Sequence, residues 1–210
     1  QVAAYVAGVG GRVQGGVLIW SGEQEREEVC EGMLFQRAKI PQWKIGEKST
    51  ITNNEWRTLT AVGAELSQAP MWIVDQPAIT PLRLRIEIRD AKRKAERRTK
   101  LEAEQDRSLP ADERRRSCDL KLVLVDYLQL MSPVGLVEKN ANREREVSSI
   151  SRKLKEIAAS EKVVIMVAAQ LNKDGDKRGK DDSQPRTSDL RESDAIAQDA
   201  DKIILLHNPQ

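Results

Sequence analysis

One stretch constrains this chain more than any other. From Asp119 it reads DLKLVLVDYLQLM, and within it Leu122, Val123, Leu124 and Val125 form an unbroken apolar run that Asp126 ends. A continuous aliphatic and β-branched run of this length suits a strand buried on both faces, as in a parallel sheet covered by helices. A carboxylate at the C-terminal tip of such a strand stands where open α/β sheets take their ligands. In nucleotide hydrolases an acid there orders the Mg²⁺ that bridges the phosphates. The alternative is a plain strand end, because Asp also starts turns.

The rest of the chain repeats the alternation. Val17–Trp20 (VLIW) is a short apolar strand followed by Ser21, Gly22 and Glu23, with Ser21 placed to cap a helix from Glu23 onward whose Val29, Met33 and Leu34 share a face. Thr52–Glu55 opens a second helix with Trp56, Leu59, Val62 and Leu66 on its apolar side, and Met71–Val74 (MWIV) is the next strand, ending at Asp75. Thr80 caps a long charged helix with Leu84, Ile88, Ala91 and Ala95 at helical spacing. From Lys92 to Arg116 nearly every second residue is charged and Leu109 and Pro110 interrupt the pattern. This region, about 92–118, reads as a solvated insertion rather than a nucleic-acid arm, because the signs alternate. Arg143–Ser160 is an amphipathic helix with Val147, Ile150, Leu154 and Ile157 on one stripe. Val163–Ala169 (VVIMVAA) reads as another fully buried strand, ended by Gln170. Lys173–Thr187 reads as a mobile loop, Asp189–Ala200 as a turn and short helix, and Lys202–Leu206 (KIILL) as a last strand. Five apolar strands separated by helices predict a three-layer α/β fold in a single domain, 1–210, with a mostly parallel central sheet. The tryptophans at 20, 43, 56 and 72 fall in apolar patterns and are expected in the core.

Two superficial motifs fail on chemistry. Gly10 and Gly15 have the GxxxxG spacing of a phosphate-binding loop, but Gly16 stands where the lysine belongs and the segment precedes a strand instead of following one. Asp174, Asp176 and Gly179 suggest a calcium loop, but Arg178 and Pro185 occupy positions that need oxygen ligands.

Charge and cysteine content narrow the partners. Lys and Arg number 35 against 33 Asp and Glu, a net charge of +2, so a basic site for nucleic acid has to be local. Cys30 and Cys118 are far apart and make no CxxC pair, which fits a reduced intracellular protein without structural zinc. No apolar run reaches membrane-spanning length and no signal-peptide pattern opens the chain, so no membrane partner and a cytoplasmic location are expected. The chain begins without Met in an Ala/Val-rich stretch that suits the end of a helix, and a fragment is expected.

Three strand tips bear polar side chains suited to chemistry: Glu23, Asp126 and Gln170. Read singly, Glu23 is a helix N-terminal acid, Gln170 a capped strand end and the pair Arg191–Glu192 a solvated ion pair. Together with LVLVDYLQLM, NREREVSSISRKLKEIA, VAAQLNK and SDLRESDAIAQDADKIILL they form a phrase that resembles the C-terminal ATPase domain of DnaB-type replicative DNA helicases. VLIWSGEQ and ITNNEWRTLTAVGAELSQAPMWIVDQPAIT extend the resemblance upstream, so it covers nearly the whole chain outside Lys92–Arg116.

The resemblance implies a RecA-like fold, truncated at both ends, and ATP and Mg²⁺ as cofactors. It implies that Glu23 positions or activates the attacking water, that Asp126 is the Walker B acid holding the Mg²⁺ shell through water, and that Gln170 is a γ-phosphate sensor. It places Ser21, Asp126 and Gln170 around the nucleotide, and Arg191, Glu192 and Asp194 in a loop that touches single-stranded DNA. The implied partners are single-stranded DNA, further copies in a homo-hexameric ring, a primase and a helicase loader, in a bacterial or phage-encoded protein. Two departures qualify this. The family has Gly where this chain has Asp194, and a carboxylate facing phosphate is repulsive. No GxxxxGK[ST] occurs in the chain; the resemblance places the family's phosphate loop just upstream of the helix on which the chain begins and its arginine and lysine fingers on a strand past Gln210, so both are expected to be cut off. The isolated chain is therefore expected to hydrolyse ATP poorly. The other open readings are a degenerate RecA-like DNA- or partner-binding module without hydrolysis, and a RecA- or RadA-like recombination ATPase.

Overall fold

The computed structural model describes residues 7, 15–108, 118–138, 141–171, 186–187 and 194–207. Within these residues four parallel strands form one sheet in the order β2-β1-β3-β4. β1, Gly16–Ser21, is buried at every position and lies between β2, Met71–Val74, and β3, Leu120–Asp126. β4, Val164–Val167, pairs with β3 on the far side. Gly16 is required where β1 enters the sheet: a Cβ there would meet the Cys118 carbonyl oxygen at 2.6 Å and the Trp72 ring at 2.9 Å.

Four long helices cover the two faces. Helix α1, Arg26–Ala38, and α2, Asn53–Ser67, lie on one face, and α3, Pro81–Gln105, and α4, Arg143–Glu161, on the other. A short helix α5, Asp194–Asp199, packs on α4. The starts are set by local chemistry. Thr52 Oγ1 accepts from the Glu55 N–H while Glu55 Oε2 accepts from the Thr52 N–H at 2.8 Å, a reciprocal capping box. Thr80 Oγ1 accepts from the Arg83 N–H at 3.1 Å ahead of α3, and Asn142 Oδ1 accepts from the Arg145 N–H at 3.0 Å ahead of α4.

Strand alternation divides the apolar residues between the two faces. Leu18, Trp20, Val123 and Val125 meet Leu84, Ile88 and Ala91 of α3 and Val147, Ile150, Leu154 and Ile157 of α4. Val17, Ile19 and Leu122 face the opposite way, onto Met33 of α1 and Leu66 of α2. This is a three-layer α/β sandwich, as the alternation of runs and amphipathic stretches predicts. Each fully buried large side chain contributes roughly 1.5–3 kcal/mol of transfer free energy.

An ionic staple joins α3 to the root of β4. Glu161, at the end of α4, has a side chain 8% exposed and receives Arg85 Nε at 2.8 Å, Arg89 Nε at 2.9 Å and Lys92 Nζ at 3.2 Å. The Arg85 hydrogen bond, with those of Lys92 and Arg89, overcomes burial and holds this carboxyl at about 2.

Several expectations are corrected. Val163–Ala169 is not buried on both faces: Val164 is 62% and Met166 39% exposed, because Ile165 and Val167 face the main core while the cluster of α1 and α2 does not extend over the opposite face of β4 among the described residues. Lys202–Leu206 makes no strand pairing, with Ile204 and Leu206 largely exposed; an apolar run becomes a strand only beside one whose backbone groups are free in register. Trp20 is fully buried and Trp72 packs against the core, but Trp43 and Trp56 are 60% and 46% exposed. Trp43 lies in the short 3₁₀ turn Gln42–Ile45, with the Lys44 ammonium 5.7 Å from its ring centroid.

The charged region is also not simply a solvated extension. Helix α3 runs unbroken to Gln105, and Ala95 is 1% exposed. Arg98 donates to the carbonyl oxygens of Gln68 and Ala69 and pairs with Glu102, and the Cys118 N–H donates to Thr99 Oγ1 at 3.0 Å. The apolar stripe continues through Ala95, so this half of the region docks although its mean composition is polar. Leu109 and Pro110, most of the Gly8–Gly16 segment and most of the Lys173–Thr187 stretch lie outside the described residues.

Candidate functional site

Parallel pairing brings the C-terminal tips of all four strands to one edge. Ser21 stands opposite Asp126 across the β1–β3 pair, and Val125 opposite Val167 across β3–β4. Glu23, two residues past β1, Asp126, the last residue of β3, and Gln170, three past β4, therefore share this edge, and all three are exposed there. The shared edge is the one that parallel strand order predicts.

Main-chain bonds set the spacing between tips. The Gly22 N–H donates to the Asp126 carbonyl at 2.8 Å, which extends the β1–β3 ladder by one rung and places Glu23 directly after it. Gly22 is wedged: a Cβ there would lie 2.9 Å from Trp20 Cζ2 and 3.1 Å from Leu130 Cβ. Trp20 itself is anchored, its Nε1–H donating to the Gln76 carbonyl at 2.8 Å. On the other side the Ala168 N–H donates to Val125 O and the Leu128 N–H to Ala168 O, each at 2.9 Å. The peptide bond between Asp126 and Tyr127 is cis.

Ser21 does not cap a helix beginning at Glu23. Its hydroxyl donates to the Gln24 carbonyl at 2.8 Å and accepts from the Gln24 N–H at 3.0 Å, closing a tight turn, and the side chain is buried. Helix α1 starts later, at Arg26, where the Glu25 N–H donates to Glu28 Oε2 at 3.2 Å.

Two further residues help to shape this edge. Asp75, past the tip of β2, accepts from the Arg26 N–H at 3.2 Å and from Arg26 Nη2 at 3.1 Å, so it anchors the first turn of α1 behind Glu23. The Arg26 N–H holds its carboxyl below the usual range, and the location suits an acid, since a helix N-terminus is electropositive. Its sequence signal is the one that picks out Asp126: a carboxylate ending an apolar run. Gln129, in the 3₁₀ turn Leu128–Leu130, has its side-chain amide on the backbone of Gln170, and no spacing rule marks it.

The DNA-loop residues are placed only in part. Arg191 and Glu192 lie outside the described residues, and Asp194 is the first residue of α5.

The donor set fits a magnesium–nucleotide complex as far as the described residues go. Asp126 offers a hard, exposed carboxylate at the ligand edge. Mg²⁺ typically takes one or two carboxylates beside waters and phosphate oxygens, so one protein acid suffices. Among the described residues no cluster of three or more His, Cys, Asp or Glu side chains forms a closed metal cage. A groove of about 890 Å³ beside α4 is a different place. Arg145, Arg152 and Lys153 line it together with Glu138, Glu144 and Glu156, and these opposed charges do not suit a polyanion. Cys30 is exposed and Cys118 buried, both unpaired, and burial pushes each thiol up. Among the described residues no helix is long and apolar enough to cross a membrane.

Comparison with known proteins places the chain by sequence and by shape. A family described as the DnaB-like helicase C terminal domain matches residues 1–102 and 98–210. The chain is 33% identical over 190 residues to the replicative DNA helicase DnaB of Leifsonia xyli subsp. xyli, an alignment that takes in 90% of this chain and 35% of that protein. It is 34% identical over 194 residues to the DnaB of Mycobacterium intracellulare, covering 91% of this chain and 28% of the relative. A solved DnaB-like replicative helicase, described with its interactions with primase, superimposes with a TM-score of 0.71 at 27% identity, over 89% of this chain and 39% of that one. The chain thus spans about a third of the length of these relatives.

Proposed function

The chain belongs to the DnaB-like helicase C-terminal domain family, and on that footing we propose that it is the ATP-driven motor of a replicative DNA helicase, which translocates on single-stranded DNA and unwinds duplex. One observation supports this above the others. The tips of parallel neighbours carry Glu23, Asp126 and Gln170 to a single edge, and a main-chain bond from Gly22 to Asp126 joins the two segments that carry the acids.

Phosphoryl transfer to water needs positioned charge and an oriented nucleophile and little covalent chemistry. Asp126 would hold the Mg²⁺ shell through water. When bound, Mg²⁺ supplies charge neutralisation at the phosphates. Glu23 would orient the attacking water and accept its proton. Gln170 would sense the terminal phosphate and pass its presence towards the DNA-facing segment that follows β4. Ser21 has its hydroxyl occupied by Gln24, so its part is to shape the turn under Glu23 rather than to touch nucleotide.

Arg191 would grip phosphate oxygens of the DNA without reading bases, as a motor indifferent to sequence requires. Glu192 belongs to the same loop, and Asp194 would oppose the grip if it faced the strand. The assembly is a homo-hexameric ring, with primase and loader as partners, in the cytoplasm. The primase with which the solved helicase is described supports that partner.

One experiment tests the proposal, on the full-length protein with nucleotide affinity, turnover and single-stranded DNA affinity measured in parallel. Glu23→Gln lowers turnover by roughly 10²–10⁴-fold with nucleotide affinity retained, the range for losing a positioned base. Asp126→Asn lowers both. Arg191→Ala weakens DNA binding equally for all sequences and flattens its salt dependence. Wild-type turnover in both acid variants would move the chain to the non-hydrolysing reading. An unchanged salt slope for Arg191→Ala would remove that loop from the DNA interface.

A further inference from the structure

The tip of β4 is held by a device of its own. Gln129 sits three residues past Asp126, and its side-chain amide meets the main chain of Gln170 at two points. Nε2 donates to the Gln170 carbonyl at 3.5 Å, and Oε1 accepts from the Gln170 N–H at 3.4 Å. A primary amide is the side chain suited to this, because it presents one donor and one acceptor side by side. Two contacts to one residue restrain its rotation as well as its position. The bracket is itself anchored: the Gln129 carbonyl accepts from Arg143 Nη2 at 2.6 Å, and Arg143 Nη1 pairs with Glu146 at 2.9 Å on the first turn of α4.

We propose that Gln129 is a positioning residue that aims Gln170 and ties its orientation to the turn that carries Asp126. This rests on the reading of Gln170 as the terminal-phosphate sensor. In this role Gln129 acts through Gln170, whose main chain its side-chain amide meets. Between Asp126 and Gln129 lie only Tyr127 and Leu128, and the Leu128 N–H is bonded to Ala168, so a shift of the acid's backbone is felt at the sensor. At 3.5 and 3.4 Å both contacts are longer than an ordinary N–H···O bond. They guide Gln170 without locking it, as a part that changes position with nucleotide state requires.

The test uses the full-length protein and four variants: Gln170→Ala, Gln129→Ala, Gln129→Glu and the double alanine variant. Glu keeps the size and the acceptor but loses the donor, so it preserves the fold and breaks one arm of the bracket. The readouts are ATP turnover with and without single-stranded DNA, KM for ATP, and the thermal midpoint. Gln129→Ala is expected to cut DNA-stimulated turnover by roughly 10- to 100-fold, the scale of a misplaced group, with KM and midpoint near wild type. Gln129→Glu falls between it and wild type. The double variant is no worse than Gln170→Ala alone, because the effect of Gln129 passes through Gln170. Near-wild-type turnover in Gln129→Ala, or losses that multiply in the double variant, overturn the proposal while leaving the sensor reading intact. If Gln170→Ala itself turns over like wild type, the sensor reading fails first and the proposal falls with it.

Discussion

The two sides of Asp126 are built differently. Towards β1 the junction is main chain to main chain: the Gly22 N–H meets the Asp126 carbonyl, Gly22 is wedged between Trp20 and Leu130, and β1 is buried at every residue. Towards β4 the ladder ends at Ala168, a side chain continues the connection to Gln170, and the strand is half-exposed. Its root is also held by side chains, through the Glu161 staple. The rigid half carries the groups proposed to act on metal and water. The adjustable half carries the group proposed to sense and relay. A centre that must keep sub-ångström geometry and report its state gains from placing these tasks on opposite sides of one strand.

The contrast can be broken by mutation. Trp20→Ala carries the largest expected effect, about 3–5 kcal/mol of stability, because it empties a fully buried site and removes the bond to Gln76. Denaturant unfolding measures it, and a loss no larger than that of an edge residue would deny that β1 is the rigid member.

Acid supplies an intermediate test. The Glu161 carboxyl is held at about 2, well below an unfolded glutamate, so its charged form stabilises the fold. That contribution is complete above the ordinary glutamate value of about 4.5 and is lost as pH falls towards 2. Its cationic partners are 31% to 56% exposed, which screens the effect. Amide exchange in β4, taken relative to the intrinsic rate at each pH, is therefore expected to quicken on acidification ahead of exchange in β1, and Glu161→Gln removes the difference. Equal acceleration in both strands would show that the staple does not set the stability of β4.

The smallest effect belongs to Val164→Thr, within about 0.5 kcal/mol for an exposed edge position. A cost above roughly 1.5 kcal/mol, measured by the same unfolding assay in the full-length protein, would show that another surface covers this face of β4 there.

The layered fold was legible where burial and periodicity agree. The Leu122–Val125 run is a central strand, and Leu84, Ile88, Ala91 and Ala95 are the buried stripe of α3. Glu23, Asp126 and Gln170 were legible as polar residues ending apolar runs, which in a parallel sheet share an edge. What escaped depends on neighbours that composition does not specify. KIILL has the pattern of a strand, yet pairing needs a free edge in register. Trp43 and Trp56 look like core, but one falls on a short turn and the other on the outward side of α2. Ser21 looks like a helix cap until its hydroxyl is found closed on Gln24. Gln129 was invisible because a glutamine bracketing a backbone 41 residues away leaves no local trace.

The order of the sheet also bears on how the chain is made. β1 is central in space but precedes both of its neighbours in sequence, and Val17 and Leu122, partners across the sheet, stand far apart along the chain. On a ribosome, β1 can pair with β2 once β2 has emerged, but it has no second neighbour until β3 is synthesised. Through that interval Leu18 and Trp20 have neither β3 nor α4 against them. Late, non-local closure of this kind slows folding and leaves nascent apolar surface open to aggregation. The same burial that makes β1 the firmest part of the finished domain makes it the part most dependent on a chaperone, or on rapid translation, while the domain is half made.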